Sequence, residues 1–451
     1  LAADLQAIDT IAALATAPGK SALAVIRISG PAARGALVAL GVRPGKPRQA
    51  RLRYIRNASG EILDRGLVLW FPGPASHTGE DCAELQVHGG RYVTDAVLEA
   101  LCAAGVRLAV PGEFTRRAFE NGKIDLGQAE AIADLIDAET AAQADQAIQQ
   151  LQGALGARYQ AWRETLIDIL ARLEVLVDFP EDETGDALEG VASSLELLSA
   201  ELRAAVADGV RGRQVRDGYR VAIVGPPNAG KSTLFNRLVG REAAIVADLA
   251  GTTRDIIEAA IELSGYRVLL ADTAGLHASD QFVEQEGIRR ALVWANDADR
   301  RIWVIDGAAR GAGWREGMAA WRAGDLYLLN KADLKATSDA DEARVTAQRL
   351  GLVVMSDTAR DQGADLVRDW LDAEVREAMS GRDFPAVTRL RHAMALKEAL
   401  DALTRAIDGL ISPELASEDV RLAVRALASV TGLIATEEIL GKVFSTFCIG
   451  K

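Results

Sequence analysis

The chain has 451 residues, enough for two to four ordinary domains, and is 49% hydrophobic and 25% charged, so a sizeable core is expected and wholesale disorder is excluded. A formal charge of −13 argues against a surface built wholly to grip nucleic acid, and the lack of any apolar run of eighteen residues or of a secretory start points to a cytoplasmic protein with no membrane span. Three cysteines, Cys82, Cys102 and Cys448, never spaced as CxxC, indicate neither a disulfide framework nor a zinc ribbon and suit a reduced compartment.

Residues 20 to about 90 read as short strands: SALAVIRISG, then RLRYIR and GLVLWF separated by NASGEILDR, whose Asn57, Ser59 and Gly60 supply turn chemistry. The segment YVTDAVLEALCAAG reads as a helix closed by Gly105. Together they predict a small α+β domain over residues 1–122. This is the basic part of the chain, with 14 Lys and Arg against 11 Asp and Glu. Arg43, Lys46, Arg48, Arg51, Arg53 and Arg56 form either a phosphate-contacting patch or a solvated loop and strand face.

From about Leu126 the period becomes helical, with Ile132, Leu135 and Ile136 on one face, and later Trp162, Leu166, Ile169, Leu170, Leu173 and Val177 on another. Residues 123–215 are the first part of a helical domain, interrupted by FPEDETGDALEG (179–190), which reads as an acidic loop. Strand, loop and helix then alternate from Tyr219, giving an inserted α/β domain with a mainly parallel sheet over 216–379. Helical pattern returns over 380–451, with Leu396, Leu400 and Leu403, then Val420, Val424 and Leu427, and ends in the tail FCIGK.

The inserted domain carries four elements in an order that a GTPase requires. YRVAIVGPPNAGKST places a GxxxxGKS loop between a strand and a helix, where backbone N–H groups and a helix N-terminus favour phosphate. Asn228, Ala229, Gly230, Lys231, Ser232 and Thr233 are its expected contacts, Lys231 for the β- and γ-phosphates and Ser232 for Mg²⁺. RVLLADTAG supplies Asp272, Thr273, Ala274 and Gly275, a DxxG element that reaches Mg²⁺ through water and meets the γ-phosphate. Between them lies Gly251-Thr252-Thr253, in which Thr253 is the expected Mg²⁺ ligand of a switch loop. Asn330-Lys331-Ala332-Asp333 selects the base, because a carboxylate at Asp333 accepts two hydrogen bonds from guanine that adenine cannot give. Ser356-Asp357-Thr358 stands where a further base-contacting loop would lie. Leu276 occupies the place of a water-orienting Gln, so hydrolysis needs another group, and Asn228 sits where a side-chain oxygen can hold a monovalent cation.

These motifs, with PGKSALAVIRISG, HTGEDCAELQVHGG, PGEFTRRAFENGKIDLGQAEAIADLI and the terminal FCIGK, make the chain resemble, end to end, the MnmE (TrmE) family of tRNA uridine-modifying GTPases. The resemblance implies a homodimer that works with a flavoprotein partner, MnmG, on tRNA. Its product would carry an aminomethyl or carboxymethylaminomethyl group at C5 of the wobble uridine. It also implies a one-carbon donor, a 5-formyl- or methylene-tetrahydrofolate, held by Arg27, Glu84, Lys123 and Lys451, the tail reaching back to the N-terminal domain, in the same chain or from the dimer partner. It further implies potassium held by Asn228, Ala247, Leu249 and Thr252 when two G domains meet, Glu284 as the group that orients water, and a role for Cys448 near the modification chemistry. Ala247 stands where Thr is common in the family, but a carbonyl ligand survives that change. The reading to set against this one is a ribosome-associated assembly GTPase whose nucleotide state controls docking.

Overall fold

The computed structural model describes residues 9–178, 184–226, 228–242, 257–272, 293–307, 322–331, 342, 345, 353–355, 361–380, 387–434 and 436–450. The chain divides into two compact units, one made of residues 1–136, 150–195 and 401–451, the other of 137–149 and 196–400.

The first unit is built on a six-stranded sheet. Its strands are β1 (Ile11–Leu14), β2 (Ser21–Ser29), β3 (Arg51–Arg56), β4 (Ile62–Phe71), β5 (Cys82–Gly89) and β6 (Arg107–Leu108), in the order β3-β4-β5-β2-β1-β6. All pairings are antiparallel except β1 with β6. Alternation decides which side chains enter the core: Ile26 and Ile28, Val68 and Trp70, and Ala83, Leu85 and Val87 point to one face. There they pack on α1 (Ala33–Ala39) and α2 (Arg91–Ala103) through Leu37, Val97 and Leu101. The opposite parity, which includes Arg27, Phe71, Cys82 and Glu84, turns to the other face. Gly105, just past α2, has φ +86°, the left-handed conformation expected of a helix stop. β4 begins at Ile62, three residues before the expected separator ends, because Asn57 and Glu61 close the turn within five residues through a backbone pair and the Asn57 side chain.

Helices α3 (Glu113–Glu120), α4 (Leu126–Asp137) and α12 (Glu437–Ser445) share a small apolar core of Phe119, Leu126, Ala129, Leu440, Phe444 and Phe447. The buried side of α4 is thus Leu126, Ala129 and Glu130, whereas Ile136, expected on an apolar face, is 44% exposed. The reason is tertiary: α4 meets α12 near its own start, and Ile136 lies at the other end. α6 (Ala154–Asp178) packs along α11 (Pro413–Thr431), and buries Trp162, Leu166, Ile169 and Leu173 as their spacing predicts. Gly450 lies so close to β1 that a Cβ on it would stand 2.2 Å from Leu14 O.

α7 runs from Thr184 to Asp217, so residues 184–190 of the expected acidic loop are helical. Acidic residues in a first helical turn face the positive end of the macrodipole, and their polarity therefore does not mark a loop. α7 then carries a continuous stripe at Val191, Leu195, Leu198, Leu202 and Ala205. α5 (Ala141–Leu151) and α10 (Leu390–Asp408) complete the helices that, with α7, are divided between the units.

The second unit holds a sheet of order β12-β11-β10-β7-β9-β8, formed by β7 (Tyr219–Val224), β8 (Ile257–Leu263), β9 (Tyr266–Asp272), β10 (Arg300–Asp306), β11 (Leu326–Asn330) and β12 (Val353–Met355). Every pairing is parallel except β8 with β9, a hairpin whose Ser264 and Gly265 both have positive φ. α8 (Lys231–Glu242) and α9 (Asp361–Met379) cover one face through Leu234, Phe235, Leu238, Val367, Leu371 and Val375. Trp294 and Ala298 pack on the other. Asp325, 3% exposed, takes Arg301 at 2.7 Å, the Trp303 indole at 3.1 Å and the Arg322 amide at 2.9 Å, tying the start of β11 to β10. The chain adds strands on both sides of β7, and such a reversal opens a crevice beyond the strands' carboxyl ends.

Candidate functional site

The loop at the carboxyl end of β7 occupies that crevice. Gly225, at φ +146°, approaches β10 so closely that a Cβ would stand 2.2 Å from Val304 O, and Asn228 and Gly230 also have positive φ. Lys231, only 5% exposed, donates from Nζ to the Gly225 and Pro226 carbonyls at 2.8 Å each. Burial pulls its pKa down and the neighbouring Asp272 carboxylate opposes that shift. An ammonium held inside a loop of backbone amides, on carbonyls it can exchange for phosphate oxygens, is an anion cradle.

Asn330 and Lys331, expected to belong to a base-recognition element, brace this loop from β11. Asn330, buried, donates from Nδ2 to Ala229 O at 2.7 Å. Lys331, with φ +57°, donates to Asn228 O at 2.9 Å and pairs with Asp306 at the end of β10 at 2.5 Å. The loops that follow β7 and β11 are thereby set in one frame. Ser232 and Thr233 open α8 with exposed side chains, and Asp272 ends β9 buried. A hydroxyl and a carboxylate there are hard oxygen donors, a set that fits Mg²⁺. Among the described residues no group of three or more His, Cys, Asp or Glu gathers for a metal. Thr273, Ala274, Gly275, Ala332, Asp333, Ser356, Asp357 and Thr358 lie outside the described residues, as do Ala247, Leu249, Thr252, Thr253 and Glu284.

The first unit carries a second site. A cavity of about 290 Å³ is lined by Arg27, Arg48, Phe71, Ala75, Ser76, His77, Cys82 and Glu84. β2 and β5 bring Arg27 and Glu84 opposite one another, and their side chains pair at 3.1 Å. Arg27 also lies 5.8 Å over the Phe114 ring. Burial pulls the His77 pKa down, the Arg27 charge adds to that, and Glu84 opposes it. Cys82 is buried and its Sγ shares hydrogen bonds with Ser29 and Thr78. The loop from residue 72 to 81 is held by Asn121 on Thr78 O, by Arg117 on the Glu80 carboxylate at 3.2 Å, and by Asp81 on the Gly73 amide. Lys123 follows the same loop: its stem passes 3.1 Å from where a Cβ on Gly79 would stand. A guanidinium paired to a carboxylate beside an aromatic wall fits a ligand that has a hydrogen-bonding ring.

Arg27 and Glu84 therefore meet, and Lys123 lies on the adjoining loop. Lys451 lies outside the described residues, but its neighbour Gly450 packs on β1 of the same chain. Cys448 is exposed on that tail. Sequence reasoning missed Arg48, Phe71, Ser76, His77 and Cys82 as lining residues. Strand parity alone links Phe71 and Cys82 to Glu84, since Phe71 pairs with Cys82 and Leu69 with Glu84 across β4 and β5.

Two family models match the chain, one described as the N-terminus of the GTP-binding protein TrmE over residues 10–123, the other as the MnmE helical domain over residues 126–448. The chain is 53% identical over 450 residues to the tRNA modification GTPase MnmE of Caulobacter vibrioides, with 98% of this chain and 100% of that protein covered. At the same coverage of both chains, the proteins of that name from Phenylobacterium zucineum and Parvibaculum lavamentivorans are 50% and 49% identical. Among the described residues, no helix is long and apolar enough to cross a membrane.

Proposed function

The chain belongs to the MnmE family of tRNA modification GTPases, and from that we propose that it works with the flavoprotein MnmG to install an aminomethyl or carboxymethylaminomethyl group at C5 of the wobble uridine. The one-carbon unit would come from a tetrahydrofolate bound in the first unit's cavity. GTP hydrolysis in the second unit would be stimulated by potassium as two G domains of a homodimer meet, in the cytoplasm. The nucleotide half of this reading is carried by one observation: Lys231 is buried inside its own loop, and Asn330 and Lys331 hold that loop to the base-recognition element.

When GTP enters, the Lys231 ammonium transfers from the Gly225 and Pro226 carbonyls to phosphate oxygens, and the loop amides take the remaining charge. Ser232 and Thr253 would hold Mg²⁺, with Asp272 reaching it through water, and the ion would offset phosphate charge. Asn228 would present its side-chain oxygen to potassium beside the phosphates, in place of an arginine finger, and Glu284 would orient water. Domain bounds near 122, 215 and 379 remain part of this proposal.

Turnover of GTP in potassium against sodium, measured on the wild type and on Glu284→Ala, tests the hydrolysis step. Equal rates in both salts would sink the cation mechanism, and a fully active Glu284→Ala protein would remove that residue from it. Replacing Asp333 by Asn should shift preference from guanosine to xanthosine nucleotides, and unchanged GTP affinity would overturn the base assignment. Mass spectrometry of wobble uridines in cells lacking the chain tests the tRNA step, with unaltered modification as the contrary result.

A further inference from the structure

The cavity of the first unit holds two guanidinium groups, and they are not in the same state. Arg27 is offset by Glu84 at 3.1 Å. Arg48, exposed at the same cavity, has no ion pair among the described residues. Its backbone has φ +59°, unusual for a residue other than glycine, and is fixed by its amide on Trp70 O at 2.9 Å. One guanidinium N–H goes to Ala75 O, on the loop that carries His77. A guanidinium has five N–H donors, so a fork remains for a planar anion. Glu84 is the carboxylate of the lining and is already engaged by Arg27. The cavity therefore presents a neutralised polar pair and an aromatic wall at Phe71 beside an uncompensated cation at Arg48.

We propose that Arg48 is a further binding residue of this cavity and pairs with the anionic end of its ligand, while the Arg27 and Glu84 pair takes the ring. This rests on the reading that the ligand is a tetrahydrofolate, whose glutamate end is anionic and whose pterin is not. Arg48 selects for the tail, and its contribution disappears when the tail loses its charge.

The test is calorimetry on the full chain with 5-formyltetrahydrofolate and with the dimethyl ester of its glutamate, which keeps ring and length but removes the anion. Arg48→Asn suits the position because Asn tolerates positive φ, and its thermal transition verifies folding. The variant should bind the acid about tenfold or more weakly than the wild type and the diester equally well, with Arg48→Lys between them for the acid. Wild-type affinity of Arg48→Asn for the acid, or an equal loss for acid and diester, would overturn the assignment. A wild-type chain that binds neither compound would overturn the tetrahydrofolate reading and this inference with it.

Discussion

Gly225 shows how one residue sets the nucleotide loop. Its φ of +146° and the 2.2 Å between an added Cβ and Val304 O leave no room for any side chain, and the obstacle is backbone, which cannot swing aside. Gly225→Ala should therefore displace the loop and the carbonyl that holds Lys231. A strained φ alone costs about 1–3 kcal/mol, which corresponds to a loss of GDP affinity of roughly 5- to 150-fold. Titration with a fluorescent GDP measures it, and wild-type affinity would disprove the close-approach argument. The spacing of Gly225, Lys231 and Ser232 is a local pattern, legible in the sequence itself. The bond from Asn330 to Ala229 O was not, since it spans a hundred residues and no local pattern encodes it. For the same reason Arg27 and Glu84 took their meaning from family likeness, and their pairing from the sheet register.

At the level of elements, strand parity and helical stripe were legible, and charge composition misled. The acidic run before Val191 reads as a loop, yet the helix starts at Thr184, because a charged first turn is compatible with a helix end. Ile136 reads as core by spacing and is exposed because its helix is covered elsewhere. The start of β11 offers a sharper test of what holds elements together. Asp325 and Arg301 are almost wholly buried, and Asp325 also serves the Trp303 indole and the Arg322 amide. Asp325→Ala leaves a buried guanidinium unpaired, which costs about 3–5 kcal/mol. Urea denaturation should show a loss of that size in the GTP-binding unit, and a change below about 1 kcal/mol would mean that Arg301 finds water or another partner.

Across the molecule, the first unit is assembled from three separated stretches of chain, and its ion pairs reflect this. Arg107 and Arg117 clasp Asp9 and Glu113, joining β6 and α3 to the residues before β1. Burial alone would raise the Glu113 pKa, but hydrogen bonds from Arg107, the Val110 amide and Arg117 outweigh it and hold the group below its ordinary 4.5. A depressed folded-state pKa stabilises above the unfolded value and is lost as pH falls through the folded one. The stability difference between wild type and Glu113→Gln should thus be full near neutrality and shrink as pH drops below about 4.5. Thermal scans across that range measure it, and a difference independent of pH would show that the carboxylate's charge contributes nothing.

Gly450 seated against Leu14 carries a consequence for how the molecule is made. Translation delivers the first strand early and its covering residue hundreds of residues later, after the whole GTP-binding unit has emerged. At roughly 5–20 residues per second the delay is on the order of tens of seconds. Throughout that interval this end of β1, though paired with β2, lacks the cover that Gly450 gives, so the order of synthesis itself leaves a long window in which a chaperone, or a misdirected strand, can reach it first.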